Sequence, residues 1–459
     1  MKYVGLLFFS LALLFSGCAP KAKMLEVDMF VANGENAKAA ASANSNIDKS
    51  NPHQVDNLLW SLESGGSYYH AKDYNSSIKS LDFSEDLMKY YREQVLTMSI
   101  TQTLKSTLVN DTMRPYIGNE YDGVMANTYK ALDYMAKGDT SGARVEFNRA
   151  IDRQRRAKIF FAKMIKKEKA AQRKKQKESA KDGKNLKVTD DNVNSRLDAY
   201  YPALRDFEPY PDFINPLTTY LAGIFARANG DTSKAQTLLK ESFYMMKDNA
   251  DVKADFDEKR SKQTVWLIFE NGQAPLLEEW RIDFPIWIMS DNLSYISVAL
   301  PKLKERTTAF SHLRIKLKDE SLSTKYLCSM QRVIKTEFLK NYDSVVQRAI
   351  LSAATKAALS YSVSKNNEDS TAGSLLQLAS AIYTLASTHA DTRIWSTLPK
   401  EFHLARFTRP NDGKVSIFTP NHVLIEELNL PNSDNILIYV KIATPYALAS
   451  VNVIPFGNN

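Results

Sequence analysis

Cysteine is nearly absent: the 459-residue chain has two, Cys18 and Cys328. Cys18 is expected to be chemically modified, as argued below, so Cys328 has no partner and an intrachain disulfide is excluded. The fold must rest on its core, with Cys328 packed as a small hydrophobe. Metal-ligand spacing is missing too. The six histidines, His53, His70, His312, His389, His403 and His422, form no HExxH or related pair, and a lone histidine more often packs than binds a metal. No Walker loop, dinucleotide-binding glycine motif or GxSxG elbow occurs. Nucleophilic and phosphoryl-transfer chemistry therefore lack sequence support, and no cofactor or metal is expected. Long apolar runs are also lacking. Val4 to Phe15 is too short for a typical membrane-spanning helix, and uncharged Ala372 to Thr388 is so rich in Ser, Thr and Gln that it reads as a buried core helix.

Positive charge is scarce outside one stretch. The chain carries +8, yet Arg153 to Lys187 holds 15 Lys or Arg against Glu168, Glu178 and Asp182, which is +12 and leaves −4 for everything else. That balance removes the support for general nucleic-acid binding. The run keeps Ile159, Phe160, Met164 and Ile165 in its first half, so it reads as a helix continuing outward. It is expected to fray past Ala170, where the apolar stripe ends, and to stop at Asp182-Gly183. Such an arm suits an anionic lipid, an acidic wall polymer or an acidic protein surface, or it is simply solvated.

What the chain does have is 44% hydrophobic residues and length enough for two or three domains. Met1-Lys2 and the short apolar run read as a secretory signal, and Leu14-Phe15-Ser16-Gly17-Cys18 follows it. That pentad resembles the lipobox of bacterial lipoproteins, although Phe15 stands where Leu is usual. The resemblance implies cleavage after residue 17, a mature chain starting at Cys18 and acyl chains on that residue. No Asp follows the cysteine, which by the same analogy implies the periplasmic face of an outer membrane rather than an inner one. Residues 18–51 read as lipid anchor and flexible tether, with Met24 to Phe30 able to form a helical turn or dock.

Two segments share a turn: "KGDTSGA" at 137–143 and "NGDTSKA" at 229–235, each between apolar-periodic helices. Gly138 and Gly230 can end the first helix, Asp139 and Asp231 can cap the second, and Ala143 and Ala235 allow close approach. With Tyr134, Phe147 and Ala150 around the first turn, and Gly223 and Leu239 around the second, the pattern resembles the tetratricopeptide repeat. A weaker copy runs through Gly65, Tyr68, "KDYNSSI" and Leu81. The resemblance implies stacked hairpins over residues 52–260 and a surface that binds a peptide or partner protein. Generic packed hairpins are the plainer alternative. "YYPALRDFEPYPDFINP" then reads as a proline-rich connection.

From Thr264 the period changes to that of strands: "TVWLIFEN", "EEWRIDFPIWIM", "YISVALP", then "EFHLARF", "KVSIFTP", "VLIEEL" and "NILIYVKIAT". Helices are expected from Met330 to about Ser364 and over Ala372 to Thr388. The overall reading is an α+β chain, a helical half followed by a mixed-sheet domain at 261–459 with two buried helices covering one sheet. With "FENGQAP", "VALP" and "ADTRIWSTLP", the arrangement resembles a family of bacterial envelope lipoproteins that carries no assigned chemistry. The densest polar cluster is Asp391, Arg393 and Trp395, alternate residues that in an extended segment share a face. They could hold a ligand, or clamp a loop onto the sheet. These features together lead to the expectation of a lipid-anchored periplasmic scaffold for envelope proteins, the rival being an envelope enzyme or binding protein acting on peptidoglycan or glycolipid.

Overall fold

A computed structural model describes residues 18–97, 114–181, 201, 209–210, 214–258, 263–287, 293–365 and 389–457. The chain is α+β, helices first and mixed sheets after, as the period change at Thr264 implies. The helical half runs α1 (Cys18–Ala32), α2 (Asn36–Ser45), α3 (Asn57–His70), α4 (Tyr74–Thr97), α5 (Glu120–Ala136), α6 (Thr140–Lys181), α7 (Pro216–Ala228), α8 (Thr232–Met245) and α9 (Ala250–Asp257).

Three helix pairs, α3/α4, α5/α6 and α7/α8, are closed by one kind of turn. Lys72, Gly138 and Gly230 have φ of 64°, 74° and 79°. Asp73, Asp139 and Asp231 follow them and accept the backbone N–H three residues on, from Ser76, Gly142 and Lys234. A left-handed residue lets the chain reverse, and the aspartate satisfies a donor that the new helix leaves open. The weak first copy is therefore a full member of the set. Close packing within each pair follows from small residues: a Cβ on Gly65 would lie 2.5 Å from the Leu81 side chain, and one on Gly223 2.9 Å from that of Leu239. Ala143 and Ala235 are buried at the matching contacts.

The sheet half comprises β1 (Thr264–Asn271), β2 (Leu276–Trp287), β3 (Leu293–Lys304), β4 (Arg314–Lys316), β5 (Ser321–Ser323), β6 (Lys325–Ser329), α10 (Met330–Lys365), β7 (Glu401–Thr408), β8 (Lys414–Phe418), β9 (Leu424–Asn429), β10 (Asn435–Ile442) and β11 (Ser450–Pro455). The expectation of a single mixed sheet is corrected. The strands form a five-stranded sheet ordered β11-β10-β1-β7-β6, a separate β2-β3 ribbon and a four-stranded sheet ordered β5-β4-β8-β9. Only β1 and β10 are parallel within the large sheet, and the rest of its pairs are antiparallel.

Period-two alternation assigns the large sheet's two faces. Trp266, Ile268, Leu404, Leu437 and Tyr439 join the hairpins in one core, while Val265, Leu267, Phe269, Ile436 and Ile438 join Ile315, Val415 and Ile417 in another. The result is three layers: helices, large sheet, small sheet. Helix α10 joins the large sheet's helix-facing core only at its start, through Met330, Val333 and Ile334. Its Tyr342, Val346 and Ile350 pack with Ile282, Val298 and Leu300 of the ribbon. The expected helix over 372–388, the signal at 1–17 and most of the proline-rich connection lie outside the described residues.

A further expectation changes. The segment taken as a flexible tether forms α1 and α2, which dock because Val27 and Val31, and Ala39 and Ala43, recur at four-residue spacing and bury against Trp60 and Ala443. Helix α6 runs to Lys181, just before the expected stop at Asp182-Gly183, and is unbroken past Ala170, where fraying was expected. Ala, Lys, Arg, Gln and Glu fill that stretch, and their intrinsic helix preference substitutes for the missing apolar stripe.

Candidate functional site

The segment from His389 to Lys400 crosses between the hairpins and the sheet without regular structure of its own. Asp391 and Arg393 do share a face. The guanidinium donates to both Asp391 oxygens, Oδ1 at 2.8 Å and Oδ2 at 2.7 Å. It also donates to Asp56 Oδ1 at 2.9 Å and to the Arg114 carbonyl at 2.8 Å. Burial works against its charge, but the two carboxylates outweigh burial and hold its pKa above the ordinary arginine value. Trp395 is enclosed in the core, its ring set over Gly66 and its indole N–H donating to Thr397 Oγ1 at 3.1 Å. Among these three residues the side chains serve to fasten the segment to α3 and its preceding turn.

A second polar cluster lies where the hairpins meet the large sheet, and sequence reasoning missed it. Glu270 on β1 and Lys441 on β10 are register partners. Both lie on the helix-facing side of the sheet by alternation from Ile268 and Tyr439. Glu270 Oε1 accepts from the Tyr129 hydroxyl of α5 at 2.8 Å and from the Tyr439 hydroxyl at 2.7 Å. Its Oε2 lies 3.1 Å from His70 Nε2 at the end of α3 and 3.4 Å from Lys441 Nζ. Lys441 Nζ donates to the Thr397 carbonyl at 2.7 Å. On the other side of that segment Glu63 of α3 accepts from Ser396 N at 2.8 Å and from the Thr397 hydroxyl. Every one of these side chains is buried.

Burial raises the Glu270 pKa, but His70, Lys441 and the tyrosine hydroxyls outweigh it and hold the carboxyl below its usual range. Burial, then Lys441, pushes His70 down to about 4. His70 is thus neutral at neutral pH, and Lys441 is the countercharge to Glu270. Among the described residues Glu63 has no cation in direct contact, and burial lifts its pKa to about 7 despite its hydrogen bonds. Chemically the cluster is a fixed ion pair beside a neutral imidazole, enclosed on all sides. The legible signal was a lone acid in "TVWLIFEN" and a lone base in "NILIYVKIAT", each on an otherwise apolar face.

The remaining sequence candidates separate. Gly138, Asp139, Ala143, Gly230, Asp231 and Ala235 occupy hairpin turns and contacts, far from the 391–397 segment in the chain and used there structurally. Arg153, the first residue of the basic run, turns inward, donating to Asn127 Oδ1 at 3.1 Å and Glu85 Oε1 at 2.9 Å. The outward run therefore begins after it, where Arg155, Arg156, Lys163 and Lys166 are exposed. Cys328 is buried, and burial raises its thiol pKa far above the ordinary value. Cys18 opens α1. Among the described residues no three His, Cys, Asp or Glu side chains converge as metal donors, and no helix is long and apolar enough to cross a membrane. No family model, curated protein or solved structure matches the chain.

Proposed function

We propose that this chain is a membrane-anchored envelope lipoprotein, held on the periplasmic face of an outer membrane by acyl chains on Cys18, that acts as a scaffold for other envelope proteins. The observation that carries this reading is the build of α6. Its hairpin partner α5 has 17 residues and α6 has 42, so at 1.5 Å per residue it outruns its partner by about 38 Å. Positions 163, 166, 167, 173, 174, 177 and 181, all Lys or Arg, fall within about 120° of the helix circumference at 100° per residue. A long helix with seven of the nine Lys and Arg between 163 and 181 on one side is suited to docking against an acidic surface. The three matching hairpin turns support the repeat-like character of the body from which it projects.

The rival reading, an enzyme or binding protein for peptidoglycan or glycolipid working through Asp391, Arg393 and Trp395, draws no support from a cluster so thoroughly engaged in fastening the chain. The test is affinity purification from membranes with the full acylated protein. Replacing Lys163, Lys166, Lys167, Lys174 and Lys177 by Gln should remove partners from the captured set while leaving the melting temperature unchanged. An unchanged protein set would overturn the arm as the docking element. Loss of co-purified anionic lipid or wall polymer without loss of any protein would assign the arm to those instead.

A further inference from the structure

The docking of α1 onto the body has a consequence for how the molecule meets its membrane. Leu25 and Met29 lie one turn apart on α1 and are 48% and 61% exposed. The turn after β10 adds Tyr446 and Leu448, 94% and 69% exposed. That turn is fastened to the end of α1: Leu448 N donates to the Asn33 carbonyl at 3.0 Å, and a Cβ on Gly34 would collide with the Leu448 backbone at 2.1 Å. This corner of the protein, α1 with the turn fastened to its end, thus exposes four apolar side chains, and exposed Lys21 and Lys23 lie between Leu25 and Cys18 along the helix. A cluster of exposed large apolar residues is unusual on a free surface and marks a contact.

We infer that this corner is a membrane-seating surface: Leu25, Met29, Tyr446 and Leu448 enter the phospholipid interface while Lys21 and Lys23 meet the headgroup phosphates. The inference rests on the acylation of Cys18 proposed above. What selects lipid over a protein occupant is the helix itself. The acyl-bearing residue heads α1, and α1 is packed to the body through Val27 and Val31 and through Arg306, whose Nη1 donates to both Asp28 oxygens at 2.7 Å. Leu25 and Met29 are therefore about 10 and 16 Å along a fixed rod from the anchor. That places both within reach of the surface that holds the acyl chains. Apolar side chains flanked by lysines are the composition that lies in the headgroup and acyl boundary.

Site-directed spin labelling tests this on the full acylated protein reconstituted into vesicles of phosphatidylethanolamine and phosphatidylglycerol. Leu448→Cys and Met29→Cys are labelled in turn, with Val145→Cys on α6, also exposed, as a control away from the corner. Both corner labels should be broadened more by oxygen than by a polar nickel reagent, and the control should show the reverse. Aqueous behaviour at both corner sites would overturn the seating surface. So would labels at both sites shielded from both reagents, since that places a protein there, a second copy included. The parent chain separates failure of the anchor reading from failure of this one. With Cys18 acylated and Cys328 buried, the parent takes up no label, whereas uptake of one label reports a free Cys18 thiol.

Discussion

At the scale of single residues, the interior carries more charge than an ordinary core, and each group has a separate consequence. Lys441 is the countercharge to Glu270 and also holds the 397 carbonyl. Lys441→Met would leave the carboxylate buried and unpaired, a class of change that costs roughly 3–5 kcal/mol. Urea unfolding should show a loss of that order, and a loss under ~1 kcal/mol would mean that the tyrosines and His70 suffice. Glu337, on α10, tells a different story. It accepts the first backbone N–H groups of α5, from Glu120 at 2.7 Å and Tyr121 at 3.2 Å, yet burial and the neighbouring Glu120 push it from 4.5 up to about 8. A carboxyl whose folded pKa is raised binds its proton more tightly in the folded chain, so its contribution is full below about pH 4.5 and is lost as pH climbs toward 8. One such group changes stability by up to about 1.4 kcal/mol per pH unit within that window. Glu337→Gln removes the dependence. Measured at pH 5 and pH 8, the difference in unfolding free energy between variant and parent should therefore move in the variant's favour with rising pH, and a constant difference would contradict the assignment. His70 works with the opposite sign, its contribution present above pH 6.5 and lost as pH falls through about 4. Of these groups the sequence exposes Glu270 and Lys441 as charges in apolar strands. Glu63, His70 and Glu337 carry no comparable signal, because a polar residue in an amphipathic helix is ordinary until the neighbour that buries it is known.

Among the elements, the hairpin turns permit a comparison within one molecule. Gly138 and Gly230 take left-handed backbone with nothing near the missing Cβ, and Lys72 takes the same conformation with a side chain. A left-handed non-glycine residue costs about 1–2 kcal/mol, offset in part by the extra unfolded-state entropy of glycine, ~0.5–1 kcal/mol. Lys72→Gly should therefore stabilise the protein by roughly 0.5–1 kcal/mol, while Gly138→Ala and Gly230→Ala each destabilise it by about as much. Thermal melts of the three variants check the pattern, and a destabilising Lys72→Gly would show that the lysine side chain contributes something the turn geometry hides. These turns were readable because Gly-Asp and small residues recur at fixed offsets, and the long strands because apolar and β-branched residues run together in β1 and β10. Other elements were hidden for identifiable reasons. Strands β4 and β5 have three residues each, too few for a period to register. β6 lies directly before α10 and merges with its apolar pattern. Helices α1 and α2 are rich in Ala, Ser, Asn and Lys and read as linker, since only the paired Val and Ala positions mark a buried side. The division into three sheets was not legible at all, because pairing between strands distant in sequence depends on which faces the helices cover.

For the whole molecule, the decisive fact is that the hairpins and the helix-facing side of the large sheet share one core. Trp266, Ile268, Leu404, Leu437 and Tyr439 are on strands, yet they belong to the same buried cluster as Leu58, Tyr129, Leu217 and Leu238 from the hairpins. Fully burying a large apolar side chain is worth about 1.5–3 kcal/mol, so five of them uncovered together forfeit on the order of 10 kcal/mol, comparable with the entire net stability of a typical domain. The Glu270 cluster adds to the dependence, since Tyr129 and His70 come from helices while Glu270, Tyr439 and Lys441 come from strands. The halves should then fold as one cooperative unit rather than as modules joined by a linker. Near-ultraviolet dichroism, reporting Trp266 and Trp395 at the joint, and far-ultraviolet dichroism, reporting the helices, should give coincident melting curves for the full chain. A fragment of residues 261–459 should bind a hydrophobic dye and lack a cooperative transition. Two resolved transitions, or a fragment that melts cooperatively by itself, would show that the shared cluster is a contact between independent domains. Deleting the hairpins to look for lost partners would remove one wall of the sheet's core, so partner loss would report unfolding. Charge substitutions along the outer side of α6 alter the surface without touching that wall.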